Sequence, residues 1–167
     1  MTDRALQSEA KRLEVVTLIA LILLSIGLVV RYLLLPLVAA MREAVPGSWE
    51  FWTLIAPWLI TALPAFALLG AVGATHRLFG RLAKGEVFSE AVGKGVRSIG
   101  GALIWAAVVM AVIVPWLQAW VDGKYGFGGV NLDPVTVVLG VVGAAMLLIG
   151  RLFKRAGALQ SEMESFV

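Results

Sequence analysis

Apolar residues along this chain gather into four long runs, near 13–30, 52–74, 99–120 and 135–150, and charged residues fill the gaps between them. A helix rises about 1.5 Å per residue and needs about 20 apolar residues to cover about 30 Å of hydrocarbon, which each run provides or nearly provides. Backbone amides and carbonyls find no water inside lipid, so runs of this kind must be helical. The pattern predicts an all-α membrane protein of four transmembrane helices in an up-down-up-down bundle. The expected spans are about 13–35, 52–76, 98–120 and 135–152, with a cytoplasmic loop at 77–97 and one membrane domain over residues 1–167.

Local signals refine these limits. Helix one is expected to begin near Glu9 and to be retained in preference to being cleaved as a signal peptide, because Arg31, Tyr32 and Pro36 follow its apolar run and no small-residue cleavage site does. The segment 33–40 reads either as a helical extension or as a piece lying along the surface. Pro57 and Pro64 predict kinks in helix two, and Gly70, Ala71, Gly73 and Ala74 form a small-residue patch suited to close helix contact. Gly93 and Gly95 predict a weak start to helix three. Asp133-Pro134 is a strong start signal for helix four, a capping side chain followed by proline at the first helical position. Gly140 and Ala144 have the spacing of a packing face.

Charge sets the expected orientation. Of the 14 Lys and Arg residues, eleven fall on one side: Arg4, Lys11, Arg12, Arg77, Arg81, Lys84, Lys94, Arg97, Arg151, Lys154 and Arg155. Only Arg31, Arg42 and Lys124 fall on the other. By the positive-inside rule both termini and the central loop are cytoplasmic. Trp49, Trp52, Trp116, Trp120 and Tyr125 gather near the outer boundary, where amphipathic rings settle at headgroup level. Arg31 reads as an Arg snorkelling to outer headgroups, with a functional buried charge as the alternative.

Candidate chemistry is sparse. Cysteine is absent, which removes disulfides, thiol nucleophiles and thiolate metal sites. His76 is the one histidine and reads as an interfacial polar residue, since a metal site or a general base needs partners that its surroundings in the sequence lack. Thr17, Ser25, Thr53, Thr61 and Thr136 are the main membrane hydroxyls, and no acid or histidine lies inside an apolar run to activate them. All 11 carboxylates stand at or outside the run boundaries, which disfavours a proton-coupled carrier. No enzyme activity, cofactor or metal is expected.

Two segments carry a resemblance. Gly85-Glu86-Val87-Phe88-Ser89-Glu90, then Val96-Arg97-Ser98-Ile99-Gly100, resembles the central motif of the DUF2975 family of small bacterial membrane proteins, a Gly-x-x-Phe-Ser/Thr turn before a Leu-Arg-x-Ile-Gly helix. The ending from Leu152 to Glu162, with Arg155, Gly157, Leu159 and Gln160, resembles the family's closing helix and tail. Val92 stands where the family often has Asn, and residues 164–167 match its ending loosely. The resemblance implies four transmembrane helices in the bacterial inner membrane. Some members are encoded beside a small helix-turn-helix regulator, which implies a cytoplasmic protein partner.

From these readings the expected function is a non-catalytic regulatory or interaction module. Its cytoplasmic motif would comprise Gly85, Phe88, Ser89, Arg97, Gly100, Arg155, Gly157, Leu159 and Gln160. Phe88 would either pack against Phe79 or Phe153, or anchor an acidic partner amid Arg81, Lys84, Arg97 and Lys154. The competing reading is an oligomeric channel or transporter subunit. Partners are the lipid bilayer, a cytoplasmic protein and further copies of the chain, with no direct nucleic-acid binding.

Overall fold

The computed structural model describes residues 2–84, 90–124, 126 and 128–164, with side chains over 7–84, 92–124, 126 and 128–156. Among these residues every regular element is helical. Helix α1 (Thr2–Val29) passes through a π turn (Val30–Leu34) into α2 (Leu35–Glu43), so the segment 33–40 extends the first helix. A tight turn follows, in which Gly47 takes φ +87° and the Ser48 side chain caps α3 (Trp49–Ala83) by accepting the Phe51 N–H. Helix α4 (Glu90–Val108) passes through a second π turn (Val109–Ile113) into α5 (Val114–Val121), and α6 (Pro134–Glu164) closes the chain.

Four stretches are long and apolar enough to cross a membrane: Gln7–Glu43, Trp49–Ala83, Val92–Val121 and Pro134–Ala156. All four outrun the apolar cores that announce them, because a helix continues past the hydrocarbon wherever its polar residues still suit it. Most of the segment 77–97 is therefore helical, as the end of α3 and the start of α4. Leu23, Leu35, Val141, Leu148 and Leu152 are each about 60% exposed, as lipid-facing side chains must be.

Both π turns have the same cause. Proline lacks an N–H, and its ring presses on the carbonyl four residues back. Pro36 and Pro115 each stand second in the α-helix after a π turn. There the Leu35 and Val114 amides reach back five residues, to the Val30 and Val109 carbonyls. The wider turn makes room for the ring without ending the helix. Near Pro115 the Ala111 carbonyl, which a residue other than proline would have bonded, accepts the Asn131 N–H, three residues before α6, at 2.9 Å. In α3, by contrast, the helix runs on through Pro57 and Pro64.

The helices pack as neighbours in chain order, α1 on α3, α3 on α4 and α4 on α6. No packed seam joins α1 to α6 among the described residues, so the up-down-up-down helices form an open row. The closest seam is α4–α6. A Cβ on Gly100 would stand 2.6 Å from the Gly143 carbonyl oxygen and 2.8 Å from the Leu147 nitrogen. A Cβ on Gly150 would stand 2.9 Å from the Arg97 nitrogen and the Gly93 oxygen. Gly93 is thus a contact position in this seam, and Gly95 fits against Leu78 of α3. The seam on α6 runs through Gly143 and Gly150, whereas a Cβ on Gly140 would meet only Ala107, at 4.0 Å, and Ala144 is exposed. The patch on α3 divides: Ala71 and Ala74 are buried, while Gly70 and Gly73 face open space.

Registers follow from these contacts. Thr17 stands beside His76, and stepping 14 residues outward on each helix, toward the α2–α3 turn, brings Arg31 level with Ala62. Leu78 meets Gly95, and 16 residues outward Ala62 is level with Ala111. Pro36, Pro57 and Pro115 share a level a little further out by the same stepping.

Adjacent glycines separate packing from propensity. Gly100→Ala is expected to destabilise the purified protein by about 1–3 kcal/mol, because backbone on the facing helix must move. Gly101→Ala, which meets nothing within 4 Å, should be neutral or stabilising by up to about 1 kcal/mol. Thermal unfolding in detergent reads both, and equal shifts would contradict the seam.

Candidate interaction surface

At one end of the row, basic residues from every helix come together. Lys11 and Arg12 lie near the start of α1, Arg77 and Lys84 at the end of α3, Lys94 and Arg97 near the start of α4, and Arg151, Lys154 and Arg155 on α6. All nine are exposed, and Arg81 is half-buried among them. Antiparallel packing of neighbours produces this gathering, because successive helices of the row (α1, α3, α4, α6) present opposite termini at the same end.

The residues expected from sequence are distributed unevenly. Arg97 and Arg155 are exposed at this basic end. Gly100 is buried in the α4–α6 seam, where its lack of a side chain serves helix approach. Gly85, Phe88 and Ser89 lie outside the described residues, as do the side chains at Gly157, Leu159 and Gln160, whose backbone belongs to α6. The alternatives for Phe88 therefore also concern a residue outside the description.

Beneath the basic end is a polar contact that sequence reasoning did not find. His76 Nδ1 on α3 lies 3.2 Å from the Glu14 carbonyl oxygen and 3.4 Å from the Thr17 hydroxyl on α1. A carbonyl can only accept, so the bond to Glu14 places the ring hydrogen on Nδ1. The Glu14 carboxylate lies over Gly80, where a Cβ would come within 2.9 Å of its Oε1. The signal in the sequence was faint: Glu14 and Thr17 share a helix face, and so do His76 and Gly80. His76 is thus a polar bridge between α1 and α3.

The membrane hydroxyls are bonded within their own helices. Ser25 donates to the Leu21 carbonyl, Thr53 to Glu50 and Thr61 to Pro57, each at 2.7–2.8 Å, and Thr17 donates to Leu13 at 2.8 Å. Thr136 differs. It is 4% exposed and its hydroxyl makes no hydrogen bond, while its N–H donates to Asp133 Oδ1 at 2.7 Å.

Asp133 caps α6, and that backbone N–H is the main cause holding its carboxyl below the ordinary carboxylate range. The Thr136 hydroxyl pulls the same way more weakly, without the alignment of a hydrogen bond, and desolvation opposes both. Residues 128–132 lead into this cap. Asn131 is tied to Ala111, and a Cβ on Gly128 would collide with the Pro115 carbonyl.

Four lipid-length helices in antiparallel order, with cations massed at one end, define a polytopic membrane protein. The chain matches the family described as "Protein of unknown function (DUF2975)" over residues 8–167 and belongs to it. No curated protein and no solved structure matches.

The cap carries a pH dependence with a definite sign. A depressed folded-state pKa stabilises the protein above the ordinary aspartate value of about 3.9, and that stabilisation is lost as pH falls through the lower folded value. Asp133→Ala should lower thermal stability at pH 7 and flatten its decline between about pH 5 and pH 2. A decline as steep as the parent's would show that Asp133 does not cap α6.

Proposed function

We propose that this protein is a non-catalytic regulatory or interaction module of the bacterial inner membrane that holds a cytoplasmic partner on its basic end. The observation that carries the reading is the convergence of nine exposed cations from four helices on one face. An acidic protein surface complements such a face, and complementary fields speed encounter and fix orientation. A small helix-turn-helix regulator, encoded beside some relatives, is the partner that the family suggests. The positive-inside rule supports placing this end, with both termini, in the cytoplasm. The bonding of the Ser25, Thr53 and Thr61 hydroxyls within their own helices supports a role other than catalysis.

Orientation is tested in a chain with no native cysteine. Cysteines replacing Ser8 and Lys84 should resist a membrane-impermeant thiol reagent in intact cells and react once the membrane is opened. Cysteines replacing Val45 and Lys124, at the far end, should react in intact cells. The reverse pattern would put the basic face outside and end the proposal.

Partner holding is tested by recovery of tagged protein from native membranes. Arg97→Gln with Arg155→Gln should lower recovery of a specific cytoplasmic protein about tenfold at low ionic strength, with the melting temperature unchanged. Equal recovery from parent and variant would refute the basic face as the docking surface. Solute flux through liposomes carrying the purified protein would favour the channel or transporter subunit instead.

A further inference from the structure

Among the described residues neither edge of the row has a packed partner, and each carries one charge at the same level. On α1 the residues turned toward α3 recur at Glu14, Thr17, Leu21, Ser25, Leu28 and Tyr32, all half-buried. Arg31 is off this stripe and exposed, its guanidinium 5.8 Å from the ring centre of neighbouring Tyr32. It lies 17 residues beyond Glu14 and 11 before Arg42, about 25 Å and 16 Å of helix rise from other charge on its own helix. No acid is within ion-pair distance of it among the described residues.

At the opposite edge, α6 packs on α4 by its glycine face and turns Val138, Val141, Leu148 and Leu152 outward, each 59–64% exposed. The first charge at its start is Asp133, whose Oδ1 accepts the Thr136 N–H. The registers connect the two. Arg31 is level with Ala62 and Ala62 with Ala111, and Ala111 bonds Asn131, two residues before Asp133. A lone cation on one free edge is therefore matched in depth by a lone anion on the other.

We propose that copies of this chain associate head to tail in the membrane, the α1 edge of one packing on the α6 edge of the next, with Arg31 of one copy paired to Asp133 of its neighbour. A charge held on an apolar helix is costly unless paired or drawn to the interface, and the pairing meets that cost for Arg31. The contact continues the antiparallel order of the row, since α1 and α6 run in opposite directions. An interface of this heterologous kind closes into a ring or propagates as a chain. It is independent of the cytoplasmic partner and stands or falls on its own experiment.

Cysteine cross-linking in native membranes tests it. Gly27 lies four residues from Arg31 and Val138 five residues from Asp133, each toward the middle of its helix, and a disulfide needs Cα atoms within about 7 Å. Two differently tagged copies, one Gly27→Cys and one Val138→Cys, should form mixed dimers on mild oxidation, and the doubly substituted chain should give a ladder of multimers. Arg31→Gln in the first copy, or Asp133→Asn in the second, should cut the mixed dimer about tenfold; the Asn keeps a capping oxygen, so α6 stays intact.

Three results would each overturn the proposal. No mixed dimer would leave Arg31 to lipid headgroups. A dominant Gly27→Cys homodimer would make the contact symmetric. A disulfide within one doubly substituted chain would show that the row closes on itself.

Discussion

Inside hydrocarbon a backbone amide has no water to bond, and the helices, the π turns and the outer loop all answer to that constraint. Helix satisfies every interior amide and carbonyl within one segment, which is why the apolar runs fold as they do. Proline breaks the arrangement locally, and the chain accommodates it in two ways. Before Pro36 and Pro115 the helix widens so that amides reach back five residues. At Ala111 the outer loop supplies the missing donor through Asn131. Asn131 is thereby fixed to the helix that precedes it, two residues before the Asp133 cap of α6.

Once backbone bonding is satisfied, little apolar driving force remains to press one helix on another, because lipid is as apolar as the side chains it would displace. Packing then depends on close approach. The α4–α6 seam is built from glycine on both sides, Gly93 and Gly100 against Gly150 and Gly143, so that backbone meets backbone. The seam of α3 with α1 and α2 is different in kind, with a His76 bridge to Glu14 and Thr17 of α1 at its basic end and Phe51 and Ile55 against Ala40 of α2 at the other. An open row follows when neighbours pack well in chain order and no comparable seam links the first helix to the last.

The geometry also bears on where function sits. Cations from separate segments of sequence become one surface only because antiparallel helices return to the same end. That convergence supports the proposed docking role; within the helices Ser25, Thr53 and Thr61 bond to their own backbones, His76 bridges α1 and α3, and the Thr136 hydroxyl is unbonded.

Sequence alone determined the class of the protein. The length of the four apolar runs required helices of membrane-spanning length, and Asp133-Pro134 marked the start of α6 correctly because a cap and a following proline act within four residues. The family motif was legible for the same local reason. Tertiary structure decided which small residues mattered. Gly140 and Ala144 had the expected spacing, yet Gly143 and Gly150 form the seam; their partners, Gly100 and Gly93, repeat the same seven-residue interval about 50 residues earlier, and only packing pairs them. Gly100 read as part of a surface motif and lies in that seam. The Glu14–His76 bridge and the level shared by Arg31 and Asp133 join positions about 60 and 100 residues apart. Nothing local records such pairs, because helix register is set by side-chain contact across seams that the linear order does not contain.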